Sequence, residues 1–279
     1  MKSERRPSRA SNRSPRDARR GAPNREPEPQ RRTRPEGIGG DQIEGRRAVQ
    51  ELLRAHRRPV QKIYMVRSRI DEDIVALADE QNISIRWVSS EQLEEYARTD
   101  AHQGVVARST PCDAVSVAAL LEPEDAFVLA LDHITDPRNL GSIIRSAVQA
   151  GVTGFVLPKN RAAALTPTAV KAAAGAIEYA TFAMSGTASA LDIAKAEGAW
   201  TIGLDAGGNA DIYDVPVADQ RIVLVAGSEG GGLAPLVRKR CDMIASIPMH
   251  GPLDSLNVSV ATGIACFAIA HQRFGGERS

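Results

Sequence analysis

The sequence predicts an α/β protein: an open, parallel-stranded sheet with helices on both faces, preceded by a smaller α/β unit. From residue 43 to residue 273, short apolar runs alternate with segments of helical periodicity. Two of those runs, residues 127–131 and 222–226, are apolar without a break, as in parallel strands buried on both faces. Charge is also segregated along the chain. The 279 residues carry 35 Lys plus Arg and 34 Asp plus Glu, a net of +1. Residues 1–40 hold one Lys and eleven Arg against five acids, a net of +7, which leaves −6 on the other 239.

Taken in order, residues 1–40 lack large apolar side chains and contain six of the sixteen prolines. Such a segment cannot bury enough surface to offset the entropy of ordering, so a disordered basic arm is expected. Both a solubilising tail and a nucleic-acid arm fit it. Ala48, Val49, Leu52 and Leu53 then recur at helical spacing, and Pro59 ends that helix. Strands are expected at 62–66, 83–88 and 104–108, with helices around Ile74–Ala78 and at 89–98, completing a unit over 41–110. Residues 111–125 bring Pro111, Pro123 and four acids and read as a linker with some helix. The larger unit, 126–279, follows. Its expected strands are 127–131, 155–157, 180–184, 200–204, 222–226 and 244–248. Its expected helices are 140–150, 167–177, 190–197, 233–240 and a long terminal one over 258–273.

Several classes are excluded at this level. The longest apolar runs fall far short of the roughly 20 residues of a membrane span, and the N-terminus has no apolar signal region. A mitochondrial transit peptide does not suit an arm broken by prolines and containing acids. Cys112, Cys241 and Cys266 are odd in number and widely spaced, which suits a reducing cytosol better than a disulfide framework or a zinc site. The five histidines show no metal-ligand spacing.

Ligands of open parallel sheets bind at the carboxyl ends of the strands. Three junctions there are rich in Gly and polar residues: 132–141 (DHITDPRNLG), 226–232 (AGSEGGG) and 247–258 (IPMHGPLDSLNV). The Gly-rich loop is not a P-loop, and it comes too late in the chain for a dinucleotide fingerprint, which leaves a nucleotide-binding oxidoreductase a distant reading. By itself it fits a tight turn. Arg145 fits a surface charge or a residue facing the loops. Glu229 fits a helix N-terminal acid, and Ser255 and Asn257 fit N-caps of the last helix.

Together the loops resemble the SpoU (TrmH) family of RNA ribose 2′-O-methyltransferases, in the SPOUT superfamily. The matching residues are Asn139, Gly141 and Arg145, then Gly227, Glu229, Gly230 and Gly232, then Ile247, Pro248, Met249, Gly251 and the run 255–261. They stand in family order at family spacing, over roughly residues 127–274. The segments GRRAV (45–49) and HQGVVA (102–107) resemble the small L30e-like substrate-binding domain of the branch that methylates a guanosine of 23S ribosomal RNA.

The resemblance implies a trefoil-knotted α/β methyltransferase domain with S-adenosylmethionine (AdoMet) bound by backbone groups at Gly227, Ile247 and Leu256. It implies Arg145 as the residue acting on the ribose 2′-oxygen, with Asn139, Glu229, Ser255 and Asn257 fixing the loops around it. It further implies RNA as substrate and a cytoplasmic homodimer through the terminal helix and knot, with no metal and no membrane. A transfer-RNA ribose methyltransferase and a non-catalytic RNA-binding, ribosome-assembly protein are the alternatives.

Overall fold

The computed structural model describes residues 38–159, 164–228, 230–253 and 255–275. Nearly all of the expected arm lies outside these residues, as does Glu229. The described residues belong to one unit built on two sheets.

The first sheet holds β1 (Gln42–Glu44), β2 (Val60–Val66), β3 (Ile85–Val88) and β4 (Val105–Ser109) in the order β1-β4-β2-β3. β4 pairs antiparallel with both β1 and β2, and β2 pairs parallel with β3. α1 (Arg46–Ala55) buries its periodic face of Ala48, Val49, Leu52 and Leu53. α2 (Glu72–Glu80) starts at Asp71, whose side chain accepts from the Ile74 amide. α3 (Ser90–Tyr96) opens with a reciprocal Ser89–Gln92 capping box, so local sequence fixes its start.

β5 (Ala114–Val115) and α4 (Val117–Leu120) occupy the expected linker, and β5 is already an edge strand of the second sheet. β6 (Phe127–Leu131) leads to α5 (Pro137–Gln149), and β7 (Gly154–Leu157) to α6 (Pro167–Ala172). The helix expected over 167–177 breaks at Ala172. There Ala174 and Gly175 take positive φ (49° and 93°), and the chain continues as a 3₁₀ turn, Ala176–Tyr179. β8 (Phe182–Met184), α7 (Thr187–Ala196), β9 (Trp200–Leu204), β10 (Ala210–Asp211), β11 (Ile222–Ala226), α8 (Pro235–Arg240), β12 (Met243–Ser246) and α9 (Val258–Phe274) complete the order.

All strands of this sheet are parallel, in the order β10-β12-β9-β11-β6-β7-β8-β5. The unbroken apolar runs now have their reason. Phe127 and Leu129 join one core with α5 and α6, while Val128 and Ala130 join a second core with α7 and α8. Burial on both faces leaves no position for a polar residue. Close helix packing is equally legible at Gly141: a Cβ there would overlap the Ala169 carbonyl of α6.

The first sheet docks through α1 onto the α5 and α6 side of the second, and their apolar residues form one continuous cluster. A buried fork fixes the junction. Arg58 donates from Nη2 and Nε to Glu178 at 2.6 and 3.0 Å, and from Nη1 to the carbonyls of Gly40 (2.9 Å) and Thr110. Tyr179 donates to Glu51 (2.8 Å), and Lys171 to the carbonyl of Ala101 (2.5 Å). No helix among the described residues is long and apolar enough to cross a membrane.

Candidate active site at the carboxyl ends of the strands

The sheet order sets β12, β9 and β11 side by side, so the chain leaves all three at one edge. β9 ends in Leu204 and Asp205, β11 in Ala226 and Gly227, and β12 in Ser246 and Ile247. Their loops and the start of α9 enclose a cavity of about 370 Å³, within the range typical of small-molecule sites. Leu204, Ile247 and Leu256 give it apolar walls, and Asp205, Ser228 and Ser255 give it a polar side.

The loop after β11 turns back on itself. Ser228 and Gly232 exchange two backbone hydrogen bonds (3.0 and 3.2 Å). A Cβ at Gly227 would overlap the backbone of Gly232 and Leu233, so only glycine lets the two strands of the loop meet.

Four expected site residues therefore meet at the cavity: Gly227, Ile247, Ser255 and Leu256. Asn257 is the N-cap of α9, its Oδ1 accepting from the amides of Ser259 (2.9 Å) and Val260 (3.4 Å). Its Nδ2 also donates to Asn139 Oδ1 at 3.3 Å. The capping reading and the site reading thus describe two ends of one amide, which joins the N-termini of α5 and α9. α5 begins earlier than expected, at Pro137 with Asp136 as cap (2.8 Å to the Arg138 amide), because proline suits the first helical position. Arg145 is exposed on α5 and does not line the cavity. Glu229 lies outside the described residues.

The structure adds residues that the loop motifs did not single out. Asp205 sits in the cavity wall, paired with Arg238 (2.7 Å) and accepting from the Gly207 amide (2.9 Å). Burial pushes its carboxyl up, but the Gly207 amide and the Arg238 guanidinium outweigh burial and hold it below its ordinary range. Its signal was positional: an acid directly after a buried parallel strand. Asp132 is buried at the end of β6, accepts from the Ala234 amide (3.1 Å) and contacts His133 Nδ1 at 2.9 Å. His133 itself takes a left-handed φ of 62°. The three thiols are not candidate nucleophiles, because burial pushes Cys112 and Cys241 up to about 11 and Cys266 to about 12.

These features define a class, an α/β enzyme with a ligand cavity built from the loops of adjacent parallel strands, and comparison identifies the family. The SpoU rRNA Methylase family model matches residues 126–267, and the model for RNA 2′-O ribose methyltransferase substrate binding matches residues 42–113. The chain belongs to the SpoU rRNA methylase family. It is 35% identical over 244 residues to the 23S rRNA (guanosine-2′-O-)-methyltransferase RlmB of Escherichia coli K12, covering 84% of this chain and 99% of that one. It is 36% identical over 242 residues to the putative TrmH family tRNA/rRNA methyltransferase YacO of Bacillus subtilis, covering 84% and 96%. Among solved structures, the SpoU methyltransferase AviRb of Streptomyces viridochromogenes in complex with AdoMet matches with a TM-score of 0.72 and 25% identity, covering 84% and 91%. The AdoMet-bound rRNA methyltransferase of Sinorhizobium meliloti matches with 0.70 and 25%, covering 85% and 88%.

One prediction concerns Asp205. Its folded pKa is depressed, so its contribution to stability is present above the unfolded value of about 4 and is lost as pH falls through the lower folded value. Asp205→Asn should therefore lower the urea midpoint at pH 7, by an amount that shrinks as pH falls below about 4. A loss that does not change with pH would show that packing, not charge, is what the substitution removed.

Proposed function

We propose that this protein transfers a methyl group from AdoMet to a ribose 2′-hydroxyl of RNA, on a guanosine of 23S ribosomal RNA. One observation carries the reading: the loops after β11 and β12, which hold two of the three motifs, meet at a single cavity, and Asn257 joins them to Asn139 of the first motif, in a chain that aligns with 99% of an RlmB. The cavity suits the cofactor. Apolar walls from Leu204, Ile247 and Leu256 fit a flat ring system, the Gly-rich loop offers close backbone approach, and the Asp205 carboxylate fits hydroxyl or ammonium donors.

AdoMet supplies an electrophilic methyl group on a sulfonium centre. The protein must hold the ribose oxygen in line with it, and much of the rate comes from that placement. The backbone at Gly227, Ile247 and Leu256 would hold the cofactor. Arg145, exposed outside the cavity, meets the incoming RNA. A guanidinium stays protonated, so Arg145 stabilises the forming alkoxide and the adjacent phosphate, and the proton leaves to water. Asn139 and Asn257 keep the two helix starts in register, with Ser255 at the cavity edge and Glu229 assigned from its motif.

The finer organisation follows the same reading. A basic arm (1–40) precedes an L30e-like substrate-binding domain (41–110), a linker (111–125) and a knotted catalytic domain (126–279). A knot is supported by the crossover between β9 and β11, residues 205–221, which reaches round to β12 through β10 and also grips the end of α9. There Gln272 donates to the Ile212 carbonyl (2.9 Å) and accepts from the Val215 amide (2.7 Å). A homodimer is supported by an apolar stripe on α9, where Val260, Phe267 and Phe274 are each about half exposed. Three free thiols suit the cytoplasm. Transfer RNA is the second reading, favoured by the wording of the YacO name alone.

Purified protein with AdoMet should place 2′-O-methyl groups on unmodified large-subunit ribosomal RNA, mapped by resistance to alkaline cleavage. Label only on a base atom, or only on transfer RNA, would refute the assignment. Arg145→Ala should cut turnover by on the order of 10²-fold or more while leaving AdoMet affinity within about twofold, since it acts on charge that develops in the transition state. Light scattering should report a dimer, and Phe267→Asp should convert it to a monomer, because a carboxylate stranded in an apolar interface is costly. A monomeric wild type at micromolar concentration would remove the dimer.

A further inference from the structure

Methyl transfer to a ribose hydroxyl releases one proton. Arg145 cannot take it, because its guanidinium is already protonated. The loop between β6 and α5 holds a group that can. His133 Nδ1 lies 2.9 Å from Oδ1 of Asp132, and Oδ2 of that buried carboxylate accepts from the Ala234 amide at 3.1 Å. A carboxylate only accepts, so Nδ1 carries the ring proton and Nε2 keeps its lone pair. The His133 side chain is about half exposed, while Asp132 is sunk beneath it. A buried acid that fixes the tautomer and tilt of an accessible imidazole is the arrangement a general base needs.

The sheet puts this pair next to the cavity. β6 and β11 run parallel with Leu131 opposite Ala226, and the ladder continues one step further, the Asp132 amide donating to the Ala226 carbonyl (2.8 Å). In that register Asp132 stands beside Gly227 and His133 beside Ser228, and both Gly227 and Ser228 line the cavity. At its other end the loop enters α5, whose Asn139 meets Asn257 at the start of α9. His133 thus stands between the Gly-rich loop and the linked starts of two helices. Its φ of 62° is a conformation that glycine adopts more readily than any residue with a Cβ. The turn itself does not call for an imidazole there.

We propose that His133, oriented by Asp132, takes the proton of the ribose 2′-hydroxyl during methyl transfer. The proposal rests on the reading of the chain as an RNA ribose methyltransferase and assigns that reaction its proton acceptor. The 2′-O–H bond breaks and its proton goes to Nε2. The oxygen electron pair forms the new bond to the methyl carbon, and the carbon–sulfur bond breaks with its pair going to sulfur, which leaves S-adenosylhomocysteine. Asp132 stabilises the imidazolium, which then passes the proton to water. Arg145 and His133 divide the work: one steadies negative charge on the oxygen, the other removes the proton.

The test measures single-turnover methylation of unmodified large-subunit ribosomal RNA by the full-length chain across a range of pH. His133→Gly suits the backbone at this position, so its melting temperature should stay close to that of the wild type. Its turnover should fall about 10²-fold with AdoMet affinity unchanged, and added imidazole should restore part of the rate. Imidazole should do nothing for Arg145→Ala. The wild-type rate should rise with pH and level off once the ring is neutral, whereas the His133→Gly rate should keep rising. The other charged groups on the surrounding elements are Asp136 at the cap of α5, Arg138 and Arg145 on α5, Lys159 after β7, Glu229 of the Gly-rich loop and Arg238 on α8. All of them remain in the variant, so a changed profile belongs to the ring. His133→Asn, which also tolerates a left-handed φ, should lose turnover in the same way.

Wild-type turnover in His133→Gly would overturn the proposal. So would a loss that imidazole does not restore and that keeps the wild-type pH profile, because the ring would then only be holding the loop. The two readings fail separately. A wild type that methylates no ribose fails the enzyme assignment itself, while an active wild type beside an equally active His133→Gly fails this inference alone.

Discussion

The cavity exists because no side chain stands at position 227. The loop leaving β11 doubles back so tightly that Gly227 meets the backbone of Gly232 and Leu233, and any Cβ would force the two apart. That closeness brings the loop up against the space between β11, β9 and β12, where Gly227, Ser228 and Gly232 line the cavity. A site built from backbone needs no charged side chain to mark it, so its chemistry is carried by geometry. The neighbouring loops add what the backbone lacks: a carboxylate from Asp205, a serine hydroxyl from Ser255 and apolar walls from Ile247 and Leu256.

The second constraint is the alignment of helix starts around that cavity. Asn257 caps α9 with its carbonyl oxygen and reaches Asn139 on α5 with its amide nitrogen. Moving either helix breaks one end of this link. The first sheet is anchored in a different way, through the Arg58–Glu178 fork, both of whose side chains are largely withdrawn from water. Buried ion pairs of this kind contribute little net stability against apolar replacements. Their geometry is demanding, however, and this one ties the loop after α1 to the turn after α6. The first sheet is thereby held in a fixed relation to the turn that follows α6.

Much of this was legible in the sequence, and for identifiable reasons. The runs 127–131 and 222–226 announce parallel strands because burial on both faces removes polar alternation. Gly141 and Gly227 are readable as motif positions because each marks a backbone approach that no other residue permits. The misses have causes as well. β1, β5 and β10 are strands of two or three residues whose existence depends on a neighbour in the sheet, and local pattern carries no trace of that. The helix expected through residue 177 ends at Ala172 because a turn at Ala174 and Gly175 is imposed where α1 packs, with Gly175 pressed against Glu51. Asp205 escaped because the loop after its strand, though it holds Gly207 and Gly208, matches none of the three motifs; only the order β12-β9-β11 places it beside the two motif loops of the cavity. Periodicity could not orient Arg145, since its helix carries apolar residues on either side of it; in the structure it faces outward.

The central claim is that the loops at Gly227, Ile247 and Leu256 form the methyl-donor site by backbone contact. Calorimetric titration of AdoMet into the wild type and into Gly227→Ala tests it most directly, with the melting temperature of each recorded. The account predicts saturable binding of one AdoMet per chain in the wild type, and at least a ten-fold loss in a variant that still unfolds cooperatively. Unchanged affinity in a folded Gly227→Ala would contradict it, because the cofactor would then be held somewhere other than this cavity.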